Sequence, residues 1–300
     1  MGYTISRLLR TEIEIEHFVD NVLQIVPTTE KRDAIRKICS QENNVLAYGS
    51  HSTLRDDSHR DFEYRDSKRR ETLRETILTE LKDLPRLSDD DSIKLGIGGA
   101  KPPAGMRAER KAFYIIGPPA SGKSKVSNIL ADRMGAYILD SDFAKRKLPE
   151  YTKEGGASLV HEESDEIVFS GENNLMSWCV SQSVNLVIPK IGHTINSIND
   201  ICTGLSEKGY EVYLIAIDLD RQKATRRAYQ RFIDSNRYVP LAIIFDQYSN
   251  EPLINYFRIK SGPKTVFSGF ARISTDVPIG SPFELKEQIN LDELKYIEWR

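Results

Sequence analysis

Apolar and polar positions divide the chain into two regimes. In the first hundred residues the apolar positions recur at helical spacing. Thr11-Glu12-Ile13-Glu14 has the form of a capping box. Phe18, Val19, Val22 and Leu23 fall on one side of the helix it would open, and Pro27 would end that helix. Ala34, Ile35 and Ile38 predict a second, short helix; Leu73, Ile77, Leu78, Leu81 and Leu84 predict a third. Between these two, Arg55 to Arg70 is dense in charges of both signs and reads as a solvated segment. Ser88 to Ser92 is a break, and Gly96 to Pro103 is a Gly/Pro connector.

From Lys111 the pattern alternates. Short apolar runs predict strands at Ala112–Ile116, Ala136–Leu139, Asn185–Ile188 and Tyr210–Ile217. Helical spacing fits Lys123–Met134, most of Glu162–Ser183, Ile195–Lys208 with Gly209 as its stop, and Leu219–Ile233. A late run, Thr265–Ile273, predicts an edge strand. Strands alternating with helices imply βαβ units and a parallel sheet flanked by helices. The expected organisation is a helical N-terminal extension over residues 1–100 and an α/β domain over 101–300.

Composition narrows the function classes. With 39% hydrophobic and 29% charged residues in 300, the chain can build a core without disulfides or a structural metal. Its 42 basic and 44 acidic side chains leave a net charge of −2, against a protein that coats nucleic acid. Cys39, Cys179 and Cys202 form no CxxC pair, so a reducing compartment is expected. No apolar run approaches the roughly 18 residues of a membrane span. Residues 1–10 lack an apolar core and a cleavage site, so no signal peptide is expected. The expected location is cytoplasmic, with delivery as a secreted effector left open.

The strongest chemical signal is Gly117-Pro118-Pro119-Ala120-Ser121-Gly122-Lys123-Ser124, a full G-x-x-x-x-G-K-[ST] run between a strand and a helix. Its glycines let backbone N–H groups curl round phosphate oxygens at a helix N-terminus. Lys123 would bridge the β- and γ-phosphates of ATP, and the Ser124 hydroxyl would ligate Mg²⁺. The next strand ends at Asp140-Ser141-Asp142-Phe143, where carboxylates face the ligand crevice of a parallel sheet. Asp142 is the candidate base for a hydroxyl that attacks the γ-phosphate. Asp140 has the supporting role, toward metal or substrate, unless it only caps the following helix. Arg227 and Arg231 lie four apart on one helix face, and Arg237 follows in the next loop. These arginines are candidates for gripping the transferring phosphoryl group. His161-Glu162-Glu163 has no second histidine at HExxH spacing, so zinc is not expected there. Glu162 and Glu163 either face substrate or are ordinary first-turn acids.

These runs resemble the zeta toxins of bacterial toxin–antitoxin systems. The particular match is Asp140-Ser141-Asp142-Phe143 with Lys145 and Arg146, followed by Leu148-Pro149-Glu150-Tyr151. It continues through His161-Glu162-Glu163-Ser164, Asn185-Leu186-Val187-Ile188 and the arginine helix. The resemblance implies a P-loop kinase fold and phosphorylation of the 3′-hydroxyl in UDP-N-acetylglucosamine by ATP and Mg²⁺. A related branch of effectors phosphorylates NAD on its adenosine ribose, so a dinucleotide is the alternative acceptor. By resemblance Asp142 matches the catalytic aspartate, and the arginines of the helix and following loop serve catalysis. An antitoxin protein is an implied partner. Where zeta toxins commonly carry Glu-Gly-Thr-Gly, this chain has Pro189-Lys190-Ile191-Gly192. Lys190 either meets an acceptor diphosphate or points to solvent. The first hundred residues are open to three roles: a fused inhibitor, a substrate-binding extension or a cap on the sheet. A P-loop nucleotide switch is the competing class, but the chain has no NKxD base-reading motif.

Overall fold

The computed structural model describes residues 9–26, 28–153, 155–235, 237–262, 266–278 and 280–299. The expectations about residues 1–8, the stop at Pro27 and the start of the late strand at Thr265 lie outside the described residues.

Local chemistry starts the chain as its sequence suggests. Helix α1 (Glu12–Phe18) opens with a complete capping box: Glu14 N–H donates to Thr11 Oγ1 at 3.2 Å, and Thr11 N–H donates to Glu14 Oε2 at 3.0 Å. It runs into a π-turn, Val19–Leu23, that ends where Gln24 adopts a left-handed φ of 58°. Helix α2 (Thr28–Tyr48) has 21 residues, so the second helix is long where a short one was expected. Two 3₁₀ turns follow, each opened by an aspartate side chain, Asp56 and Asp61. Helix α3 (Ser67–Asp83) is capped by Asp66. The segment from Arg55 to Arg70 is therefore not wholly solvated: its last residue, Arg70, is 2% exposed.

The remainder is a doubly flanked sheet. Strand β1 (Lys111–Ile116) leads to α4 (Lys123–Met134), and β2 (Tyr137–Ile138) leads to α5 (Ser141–Lys145). After a short α6 (Gly156–Leu159), the mostly helical stretch expected over Glu162–Ser183 consists of α7 (His161–Asp165), a π-turn and α8 (Leu175–Ser181). Asn174 restarts the last of these through its own side-chain cap. Then come β3 (Leu186–Lys190), α9 (Ile195–Glu207), β4 (Glu211–Asp218), α10 (Arg221–Ser235), α11 (Glu251–Lys260), β5 (Phe267–Ser274) and β6 (Glu284–Ile289). The sheet order is β2-β3-β1-β4-β5-β6, parallel except for β6. The late strand is thus not an edge: β5 pairs with β4 on one side and β6 on the other. The amphipathic β6 was not foreseen because its sequence, ELKEQI, is rich in charge.

Two apolar clusters hold these elements. The larger surrounds the sheet and includes Leu73, Ile77 and Leu81 of α3, with Ile93 and Ala100. The smaller joins Ile15, Phe18, Val22 and Ile38 of the N-terminal helices to Ala224, Ala228, Leu241 and Ile244. The first hundred residues are therefore shared between two packing units. Helix α3 belongs to the sheet's core, whereas α1, the π-turn Val19–Leu23 and α2 share the smaller cluster with α10.

Candidate active site

Five strand ends meet at one rim of the sheet. The phosphate loop follows β1, Asp140 and Asp142 follow β2, Lys190 closes β3, Asp218 closes β4 and Thr275 follows β5. This is where parallel α/β sheets bind ligands. Within the loop, Gly122 has φ 88°, a left-handed conformation that suits glycine. A Cβ on Gly117 would sit 2.9 Å from Ser121 Oγ and from Ile217 Cβ, so only glycine lets the loop close. Lys123 Nζ donates to the Gly117 and Pro118 carbonyls, each at 2.7 Å, across the mouth of the loop. Desolvation pushes Lys123 down to about 7, with Asp140 opposing that shift. A phosphate entering the loop would supply the missing counter-charge.

Asp140 caps α5 by accepting the Asp142 N–H at 2.9 Å. Burial and the neighbouring Asp142 charge raise Asp140 to about 6. Asp142 behaves oppositely. Burial alone would raise it, but Lys145, Arg237 and Arg146 overcome burial and hold it well below the usual carboxylate range. Lys145 Nζ donates to Asp142 Oδ1 at 3.0 Å, and Arg237 Nη2 donates to Asp142 Oδ2. Arg146 Nη1 binds the Asp142 carbonyl at 3.1 Å, and its Nη2 binds Asp91 Oδ1 at 2.8 Å. Two neighbouring carboxylates thus have separated proton affinities, the arrangement from which acid–base roles are built.

A cavity of about 540 Å³ is lined by Ser124, Asp140, Asp142, Arg146, Arg231 and Arg237, with Asp91 at its rim. The structure therefore brings together the end of the phosphate loop, both aspartates and two of the three candidate arginines. Arg231 Nε is buried without a hydrogen-bond partner, and burial together with Arg237 lowers its proton affinity. A half-buried cation with an unpaired buried donor fits an anion. Arg227 lies elsewhere: it donates to Thr275 O at 2.8 Å and Thr275 Oγ1 at 3.3 Å. Thr275 Oγ1 in turn donates to Ser121 O at 2.7 Å, so Arg227 braces the phosphate loop from behind.

The acidic pair of α7 is not brought to this cavity. Glu162 accepts from Ser52 Oγ at 2.7 Å and from Arg55. Glu163 is 1% exposed and accepts from Arg70 Nε at 2.7 Å and Thr53 Oγ1 at 2.5 Å. Both hold the N-terminal segment. Lys190 does not extend freely into solvent: its Nζ lies 3.5 Å from the Phe169 ring centroid and 3.5 Å from Asp165 Oδ1. Asp91 and Arg146 are among the cavity groups that no motif of the sequence singles out for a role. The acidic run Asp89-Asp90-Asp91 read only as a break; Arg146, four residues beyond Asp142, carried the one usable signal.

The residues fit ATP with Mg²⁺. Ser124 and Asp140 line one cavity, and the raised Asp140 carboxyl is a site that a cation would relieve. Among the described residues no group of three His, Cys, Asp or Glu side chains could hold a metal by itself. Magnesium needs none, because phosphate oxygens and water complete its octahedron. Among the described residues no helix is long and apolar enough to cross a membrane.

Loop, strand order and paired aspartates define a P-loop kinase-like α/β protein. The zeta toxin family profile matches residues 98–252, more than half of the chain, and the chain belongs to that family of ATP-dependent phosphotransferases. No curated protein sequence matches it. Among solved structures it is similar to one from the PezAT chromosomal toxin–antitoxin system of Streptococcus pneumoniae. The identity there is 16%, with 77% of this chain and 83% of that one covered, at TM-score 0.49. It is also similar to the AvrRxo1-ORF1:-ORF2 complex with ATP, at 15% identity, 81% and 75% coverage and TM-score 0.42. A gluconokinase from Sinorhizobium meliloti 1021 aligns at 15% identity, 57% and 86% coverage and TM-score 0.32.

Proposed function

We propose that this protein transfers the γ-phosphoryl group of ATP to a sugar hydroxyl of a nucleotide-sugar, the 3′-hydroxyl of UDP-N-acetylglucosamine, with Asp142 as base. The observation that carries this is Asp142 itself. It lines the same cavity as Ser124 and Arg231, and its carboxylate is held ionised by Lys145 and Arg237. Phosphoryl transfer asks mainly for positioning and charge neutralisation, which this set supplies. Bound Mg²⁺, on Ser124 and Asp140, would neutralise phosphate charge. The acceptor hydroxyl gives its proton to Asp142 while its oxygen bonds to the γ-phosphorus, and ADP leaves with the electrons of the broken P–O bond.

Arg237 couples binding to basicity in this scheme. Without ATP it neutralises Asp142 and keeps it a weak base. An incoming γ-phosphate competes for the same guanidinium, and Arg237 turning to it raises the proton affinity of Asp142 when a base is needed. Arg231, with its unpaired Nε, takes the same anion. Lys123 and the loop residues Gly117 to Ser124 hold the phosphates. Arg227 acts through Thr275 as a positioning residue.

The alternative acceptor is the adenosine ribose of NAD. Lys190 does not choose between the two acceptors, because both carry a diphosphate and its Nζ lies over the Phe169 ring and near Asp165. On the same family ground a separate antitoxin is the proposed partner. The chain expressed alone would then arrest growth of its host, and the Asp142→Asn chain would not. The direct test of function is incubation with ATP, Mg²⁺ and either UDP-N-acetylglucosamine or NAD, with products read by mass. A gain of one phosphate by an acceptor supports the kinase. ATP turnover that ignores both acceptors supports the nucleotide switch instead.

A further inference from the structure

A second cavity, of about 520 Å³, lies on the other side of Arg237, and part of its wall comes from outside the family match. Helix α2 contributes Gln41 and Asn44. Tyr151, Thr152, Lys153, Gly155 and the first residues of α6 add to the wall, and Arg237 and Tyr238 complete it. Arg237 also lines the cavity that holds Asp142, so the two spaces meet at one side chain. The helix is fixed there. Tyr238 OH donates to Glu42, which is 1% exposed, and Ala34 and Ile38 are buried in the cluster that includes Ala228 of α10.

The lining has a definite chemistry. Amides, hydroxyls and tyrosine rings face the space, and none of its described lining residues is Asp or Glu. Its two cations are Lys153 and Arg237; Lys153 is paired with Asp61 at 2.7 Å. Side-chain amides present a donor and an acceptor together, which suits a base edge or a sugar diol. A tyrosine face suits a stacked ring. The volume is that of a small-molecule site.

We propose that this cavity holds the part of the acceptor remote from the reacting hydroxyl, a nucleoside joined through a diphosphate, and that Gln41 and Asn44 of α2 determine its specificity. The proposal rests on the kinase reading above and assigns α1 and α2 a substrate-side role. Arg237 then stands between the acceptor's diphosphate and the transferring phosphoryl group. Nucleotide-sugar and dinucleotide share this chemistry, and the experiment separates them.

The experiment is calorimetric titration of UDP-N-acetylglucosamine, and separately of NAD, into protein saturated with a non-hydrolysable ATP analogue. Wild type is compared with Ala157→Trp, which fills the cavity from an exposed position of α6, and with Asn44→Leu, which removes an amide without changing size. One of the two ligands should bind wild type, and both variants should bind it at least about tenfold more weakly. Affinity for the ATP analogue should stay within about twofold, which also shows that the variants are folded. Binding unchanged in both variants would overturn the assignment of the cavity while leaving the kinase reading intact. If neither ligand binds wild type and neither is phosphorylated, the acceptor reading falls with it.

Discussion

Two clusters in this molecule are made of the same parts, an arginine bridging two carboxylates, and they end in opposite states. Arg70 donates to Glu150 at 2.8 and 3.1 Å and to Glu163 at 2.7 and 2.5 Å. Arg70, Glu150 and Glu163 are all at or below 2% exposure. Thr53 Oγ1 and the Asp61 N–H donate second hydrogen bonds to two of these oxygens, Glu163 Oε2 and Glu150 Oε1. Arg237 bridges Asp142 and Asp91, but these side chains are 26%, 29% and 57% exposed, with the unpaired Arg231 Nε in the same cavity. A charge taken fully out of water must have every valence met, so the first cluster is closed and can only hold structure. The second keeps cationic valence in reserve at the edge of a cavity, where an anion can use it. Glu150 and Glu163 belong to motif runs just as Asp142 does. Membership of a motif therefore does not separate a binding group from a buttress; the completeness of its pairing does.

The largest effect should come from removing Arg70. Arg70→Met leaves two buried carboxylates unpaired and should cost about 3–5 kcal/mol, read as a lower urea midpoint. Replacing Arg70, Glu150 and Glu163 together by Met, Gln and Gln should recover part of that loss. A stability near wild type for Arg70→Met would mean that the closed cluster holds nothing together.

At the open cluster the effect should appear in rate and not in stability. Arg231→Ala should lower kcat about 10²- to 10³-fold with little change in melting temperature, because its interaction is made chiefly in the transition state. Lysine at 231 should restore only part, lacking the planar fork. Normal kcat in both variants would make Arg231 a surface charge. Arg227→Ala should act more weakly, about tenfold, and mainly through the KM for ATP, since Arg227 reaches the phosphate loop only through Thr275. A loss confined to kcat would instead place Arg227 on the phosphoryl group.

The smallest effect concerns Asp140. Its proton affinity is raised to about 6 by burial and by Asp142, so ionising it costs stability as pH rises from about 4 to 6, and that cost persists above. Asn keeps the helix cap without the charge. Asp140→Asn should therefore melt about 2–4 °C higher at pH 7.5, and the gain should fade below pH 6. A gain that does not change with pH would remove the electrostatic explanation.

Much of this was legible in the sequence, for physical reasons. The phosphate loop and the strand–helix alternation are local patterns, and α4 spans Lys123–Met134 as expected. The place of Asp142 at the cavity was readable because carboxylates at the end of a parallel strand lie at the ligand crevice. Glu163 was not, because its partner Arg70 is 93 residues away and looked like one charge among many. The placement of α2 beside the segment that follows α10 likewise depends on a contact nearly two hundred residues apart, Glu42 with Tyr238. Local periodicity cannot report such pairings. β6 was missed because an amphipathic edge strand rich in Glu and Lys carries almost no apolar signal.

The most direct test of the account is the kinetics of Asp142→Asn with ATP, Mg²⁺ and the acceptor that gains phosphate. Asparagine keeps the shape of the side chain and removes its ability to take a proton. ATP affinity should stay close to wild type and kcat should fall by about 10² to 10⁴ at saturating substrates. ATP affinity that collapses while the rate at saturation stays normal would contradict this and make Asp142 a ligand of the metal–nucleotide complex, not the base.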